Sequence, residues 1–314
     1  MAAISPIFAA DFHIKTLFNM KKTLTITLAA ALSCPLMAQS NQVFVIKAGK
    51  SVSINTGTPF EQKEIGQSVM EFMYDYRYMT DTTDLSMTED RMTLQVGNGL
   101  SKFSSYTAMR IDSLIRISTP EQITANPDSY VGGEAFCIYK NYPKGRITVT
   151  DKISTDWFLY EEETPVMDWT LSDSTCTLLG YPCKSAFCDF RGRRWTAFYT
   201  DAIPVPNGPW KFGGLPGLIL QIYDEGQQYV FTCVGINSQA QKAITMPDVP
   251  YNKTSRRKFY TTKHRCDTDP VGYISSMNSS AQVKVEIKGP DGQPRTDLMS
   301  PKALKYDYIE RDWK

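Results

Sequence analysis

CKSAFCDFRGRRWTAFYT, residues Cys183 to Thr200, sets the fold class. Side chains rich in aromatic and β-favouring types run to Phe190 and return from Trp195, and Arg191-Gly192-Arg193 between them supplies a glycine free to take positive φ. This is a β-hairpin, and the pattern repeats outward in both directions. Toward the amino terminus, Ser68 to Met79 (SVMEFMYDYRYM) places Met70, Phe72, Tyr74, Tyr76 and Tyr78 on one parity, and Arg91 to Val96 alternates after a polar turn. Strands are predicted at Ala135–Tyr139, Arg146–Ile153 and Trp157–Glu161, with Tyr142–Gly145 as a turn. Leu218–Tyr223 and Gln228–Val234 form a second hairpin around Asp224-Glu225-Gly226, and Val283–Ile287 adds a late strand. Ser104–Ser118 fits a weak helix, Thr254 caps a helix over Ser255–Lys263, and Asp269-Pro270 opens another over Val271–Met277.

The expected fold is mainly β: one curved antiparallel sheet or half-barrel with a few helices. A composition that is 42% hydrophobic and 12% aromatic over 314 residues supports a real core, and a net charge of +1 gives no reason to expect a nucleic-acid partner. No apolar run reaches the ~20 residues of a membrane-spanning helix. Met20-Lys21-Lys22, the apolar Thr23–Leu32 and the small Ala38 before Gln39 have the three parts of a secretory signal peptide. The chain therefore divides into a leader, 1–38, and one β-rich domain, 39–314; residues 1–19 precede the signal, which makes Met20 the natural initiator. The destination is the periplasm or the outer membrane, with secretion as a further option. A lipid-anchored form would instead use Cys34, but Pro35-Leu36-Met37 still reads as signal.

Beyond the leader lie six cysteines: Cys137, Cys176, Cys183, Cys188, Cys233 and Cys266. An even number in an exported chain makes all six disulfide candidates, with buried free thiols an equal alternative. Cys183 and Cys188 sit at opposite parity on one strand and face away from each other.

Familiar catalytic arrangements are missing. After the leader His264 is the single histidine, which removes a histidine-built zinc site, and Cys266 two residues on lies on another helix face. Gly213-Gly214-Leu215-Pro216-Gly217 lacks the lysine of a phosphate loop, and the run Glu161-Glu162-Glu163 has the ordinary reading of a solvated edge. Met70, Met73, Met79, Met87 and Met92 could handle a soft metal, but they fall on opposed parities and suit core filling better. No catalytic residue, metal or cofactor is assigned.

Ile203–Ile222 (IPVPNGPWKFGGLPGLILQI) has the densest run of turn residues. Gly213, Gly214, Pro216 and Gly217 are read as its structural turn, with Pro216-Gly217 central in a type II turn that needs positive φ at Gly217. Its ordinary role is a corner that sets strand register. A sharper one makes Trp210, Phe212, Leu215 and Leu218 a contact surface for an apolar ligand or a partner protein.

Gly214-Leu215-Pro216-Gly217-Leu218-Ile219 resembles the signature of the GLPGLI family, exported proteins of Gram-negative bacteria whose function is not established. Leu178–Ala186, Phe190–Arg193 and Gly208–Gly213 continue the resemblance, which extends loosely through Leu94–Gly97 and Ser101–Phe103 to Tyr308–Glu310. At the level of fold the string resembles the periplasmic lipoprotein-carrier type of curved sheet around an apolar cavity. The resemblance implies a non-catalytic envelope protein that binds a lipid or acyl chain, or an outer-membrane protein. Its rival is a structural component of a surface complex that holds no ligand. Amino-terminal sequencing of protein recovered from the envelope is expected to begin at Gln39; a lipid-bearing start at Cys34 would overturn the cleavage site.

Overall fold

The computed structural model describes residues 60–269 except 80, 84, 85 and 155, then 272, 273, 276 and 305–314, together with the backbone of 23–26, 42–47 and 50–55. Most of the leader, the Val283–Ile287 strand and most of the helix after Asp269 lie outside these residues. The backbones of Thr23–Ile26 (β1), Gln42–Lys47 (β2) and Lys50–Asn55 (β3) pair as a small antiparallel sheet.

Everything else is organised by a 13-stranded sheet. Its first strands are Gln62–Tyr78 (β4), Thr88–Gly97 (β5) and Ser101–Ser105 (β6), followed by helices Tyr106–Ile117 (α1) and Pro120–Ala125 (α2). Then come Cys137–Lys140 (β7), Arg146–Ile153 (β8), Asp156–Glu163 (β9), Thr170–Leu178 (β10), Tyr181–Phe190 (β11) and Arg193–Thr200 (β12). Leu218–Asp224 (β13), Tyr229–Asn237 (β14), Ala243–Pro247 (β15), Asn252–Thr254 (β16) and helix Arg256–Thr268 (α3) complete the described order. The strands lie as β10-β11-β12-β13-β14-β4-β5-β6-β7-β8-β9-β16, with β15 on the first half of β4. All pairs are antiparallel except β16 with β9, so the sheet is mixed.

Two-residue turns set the register of the central hairpin and of its neighbour. Arg191-Gly192 (φ 56° and 76°) joins β11 to β12, and Leu179-Gly180 (φ 50° and 81°) joins β10 to β11. Bulges bend the sheet: β4 breaks register between Ser68 and Met70, and β14 between Cys233 and Gly235. The bending carries the β11–β12 turn round to β9, near the other end of the strand order, where Arg191 pairs with Glu162. The result is an open, curved sheet with the aromatic core on its inner face.

The core is the inward parity of the predicted strands. Phe72, Tyr74, Tyr76 and Tyr78 are all at most 3% exposed. Tyr76 stacks on Phe231 with centroids 4.4 Å apart, and Trp195 meets Phe212 edge-on at 4.6 Å. Buried Met92 is part of this packing. Helix α1 begins where Ser105 accepts the Ala108 N–H at 2.9 Å, and it contains no buried residue. That shallow packing is why its sequence carries so little periodicity. The cap of α3 is Ser255, one residue after the expected Thr254, because its hydroxyl accepts from the Lys258 N–H.

The proline-glycine corner differs in detail from the expected turn. Positive φ belongs to Gly214 (86°), and Gly217 lies outside that region. Glycine is required at 217 for a different reason: a Cβ there would stand 2.0 Å from the Thr200 carbonyl oxygen, where the corner enters β13. Gly217→Val is therefore expected to cost about 3 kcal/mol or more, through overpacking against backbone that cannot yield. Denaturant titration checks it; a loss below about 0.5 kcal/mol would contradict the close approach.

Candidate functional site

Residues 203–217 form a plug between strands β12 and β13, with Ile203, Gly208 to Phe212, Leu215 and Gly217 buried and Pro204, Pro206, Gly214 and Pro216 exposed. A turn closed by Phe212 N–H on the Pro209 carbonyl (3.0 Å) holds Trp210 at φ 47°, a conformation few bulky residues adopt. The Lys140 ammonium fixes the plug from β7, donating to Asn207 Oδ1 (2.8 Å) and to the carbonyls of Gly208 (2.7 Å) and Phe212 (2.6 Å). Burial pulls this ammonium well below the ordinary lysine range. Trp169 Nε1 donates to the Gly213 carbonyl at 2.9 Å.

The four proposed contact residues all sit inside this plug or its exit strand. Trp210, Phe212, Leu215 and Leu218 are 3%, 0%, 2% and 0% exposed, so none presents a surface platform. Gly213 and Gly214 turn the chain beneath Trp169, and Pro216-Gly217 leads it into β13. All six cysteines are free thiols; Cys183, Cys188, Cys233 and Cys266 are buried, and Cys137 and Cys176 half-buried.

Between Trp210 and Phe212, Lys211 turns the other way. Its ammonium is buried against Glu310 (2.6 Å) and Glu162, with the Tyr160 hydroxyl at 3.3 Å. Arg256 of α3 reaches Glu310 and Asp312, each at 2.6 Å, and Arg191 reaches Glu162 and Asp312. Burial alone would raise the Glu310 carboxyl; Lys211, Arg191 and Arg256 outweigh it and hold the group below its ordinary value. The run Glu161-Glu162-Glu163 is thus only partly a solvated edge. Its outer members are exposed, while Glu162 points inward at 11% side-chain exposure. Strand alternation demands this, since the middle of three strand residues faces opposite to the other two.

A second anchor acts on the same carboxy-terminal segment. The buried Arg193 guanidinium pairs with Asp224 at 2.7 Å and donates to Gln228 and to the carbonyls of Asp307, Tyr308 and Ile309. Residues 305–314 therefore lie as a strap across the inner face of the sheet, tied by Arg193 on one side and Lys211 on the other.

Between strap, α3 and sheet is a cavity of about 70 Å³. Tyr76, Tyr78, Tyr160, Tyr229, Tyr260 and Tyr308 line it, with Trp210 beside them. Its charged lining is Glu134, Asp151 and Lys263. Tyr78 donates to Glu134, and Tyr308 donates to Asp267 at 2.7 Å. Burial raises the Asp151 carboxyl, against the pull of Lys263 at 3.6 Å. Burial would lower the Lys263 ammonium, but Asp151, Asp267 and Glu134 outweigh it and raise the group. Sequence reasoning reached Trp210 but none of the other lining residues as a site, because they come from seven separate segments. The one available signal was the tyrosine parity of β4.

Among the described residues no group of three or more His, Cys, Asp or Glu side chains could hold a metal ion, and no helix is long and apolar enough to cross a membrane.

A family described as a protein of unknown function, Porph_ging, matches residues 189–221, a stretch from the end of β11 through the plug into β13. No curated protein matches the chain. Among solved structures the chain is similar to PNGF-II in its P21 and C2 space groups, at 10% and 12% identity with TM-scores of 0.45 and 0.41. These alignments cover 64% and 62% of this chain and 34% and 32% of the others, so the chain spans about a third of their length.

Glu310→Gln tests the lock. Near neutral pH it is expected to cost about 3 kcal/mol, because it leaves Lys211, Arg191 and Arg256 undercompensated in a dry site. A depressed carboxyl stabilises the fold above its unfolded value near 4.5 and loses that contribution as pH falls through its lower folded value. The deficit should therefore shrink at about pH 3. A deficit independent of pH would show that the charge of Glu310 is not what matters.

Proposed function

We propose that this chain is a non-catalytic protein of the bacterial envelope, of the GLPGLI family, which binds a small apolar ligand or the end of a longer one in the tyrosine-walled cavity. The signal-like leader and the family resemblance support export, and the match over residues 189–221 falls on the plug that carries the GLPGLI hexapeptide. The cavity carries the reading, because aromatic walls under a strap are where this fold leaves internal space. Its size narrows the ligand. Enclosed sites for drug-sized molecules begin at roughly 300 Å³, so a whole acyl chain exceeds this one and a methyl-bearing or single-ring group fits.

A second reading, an acid-base enzyme, has one observation in its favour: Glu134 and Asp151 converge on the same cavity. In that case the wild-type protein would consume a component of an envelope extract and Asp151→Asn would not, as read by mass spectrometry.

Native mass spectrometry of protein purified from the envelope tests the binding reading. A noncovalent adduct is expected on the wild type and not on Val149→Phe, which sets a ring into the cavity lining. Absence of any adduct on the wild type would favour the rival, a component of a surface complex without ligand.

A further inference from the structure

Cys176 and Cys183 stand directly opposite each other across the β10–β11 hairpin. The two-residue turn at Leu179-Gly180 fixes this register. Counting from the turn, Leu178 and Tyr181 exchange backbone hydrogen bonds, and Thr177 and Pro182 do not, which suits a proline with no N–H. Cys176 and Cys183 then form the next hydrogen-bonded pair, with Cα atoms about 5.5 Å apart. That lies inside the roughly 4.4–6.8 Å that a disulfide spans. Directly opposed residues project to the same face, and the Cys183 thiol rests on the Tyr181 carbonyl of its own strand at 3.4 Å. The other cysteines have different partners. Cys188 faces Trp195, Cys233 faces Tyr74, Cys137 faces Ser104 and Thr150, and Cys266 belongs to α3.

We infer that Cys176 and Cys183 are a redox modification site, a dithiol that a small disulfide-bearing oxidant closes into a bond across the hairpin. The two sulfurs have different roles. Cys176 is half-buried on β10, the edge strand, and so is the one an oxidant reaches. Cys183 is 1% exposed, and burial, with Cys176 beside it, pushes its thiol up to about 11. Cys176 loses its proton and attacks one sulfur of the oxidant; the oxidant's S–S bond breaks, and its other half leaves as a thiol. Cys183 then loses its proton to solvent and attacks the Cys176 sulfur of the mixed disulfide, which expels the second half of the oxidant. Two protein thiols are oxidised and one disulfide is reduced to two thiols. The closed loop is short, so the bond removes little chain entropy and acts on the edge strand more than on global stability.

The full reduced chain, incubated with glutathione disulfide and then alkylated, reads this out by intact mass and non-reducing peptide mapping. The expected product has lost two hydrogen atoms and yields one linked peptide pair joining Cys176 to Cys183. Cys183→Ser should trap glutathione on Cys176, Cys176→Ser should take up neither glutathione nor a bond at Cys183, and Cys188→Ser should close like the wild type. A wild-type protein in which both thiols remain alkylatable, or whose linked peptide joins any other pair, would overturn the site.

Discussion

Lys211 and Glu310 meet at 2.6 Å with both side chains at most 1% exposed, and the rest of the inner face is arranged around that contact. Neither charge would be tolerated there alone, since an unpaired ion in such surroundings costs several kcal/mol. Each partner sits on a segment with little regular structure, one in the plug and one in the strap. Their pairing substitutes for the backbone ladder that neither segment has. Arg191 and Arg256 extend it to the β11–β12 turn and to α3, and Glu162 ties in β9. Strands far apart in the sheet order are thereby drawn into one curved wall.

The cavity inherits its shape from this lock. Tyr308 and Ile309 line it two residues and one residue before Glu310, and Trp210 lines it immediately before Lys211. Arg193 fixes the same strap through three carbonyls, and its guanidinium covers the Tyr229 ring at 4.5 Å. Cavity walls and charged anchors alternate along the chain, so the position of the walls follows from the electrostatics beside them.

Most strands could be read from the sequence because burial of one face writes a period of two into it. Tyr74, Tyr76 and Tyr78 of β4 show this. β10 is not legible as a strand because it is largely exposed on both faces, which leaves no alternation to see. β16, three residues long and parallel to β9, is too short to carry a pattern. The site was harder for a different reason. Lys211 and Glu310 are 99 residues apart and Glu162 reads as one acid in a row of three, so only the folded sheet reveals them as partners. The plug stands out as a landmark, but local turn residues do not fix which way its aromatic side chains face, since that depends on the sheet closing over them. At Gly217 the turn pattern marks the residue but not the reason for it, because a close approach to the Thr200 carbonyl involves a neighbour that local turn rules ignore.

The strap also constrains when the protein can become native. Its contacts with Arg193 and Lys211 span about a hundred residues of sequence, so they form only after the strands they close over have been made. Until Glu310 has been made, an ammonium and a guanidinium meant for the dry interior have only part of their compensation, and the strap side of the tyrosine wall is missing. A nascent chain of this design can pair its local hairpins early but cannot seal its interior. Native packing thus becomes available only after residue 310 is made, long after the hairpins it seals have left the ribosome.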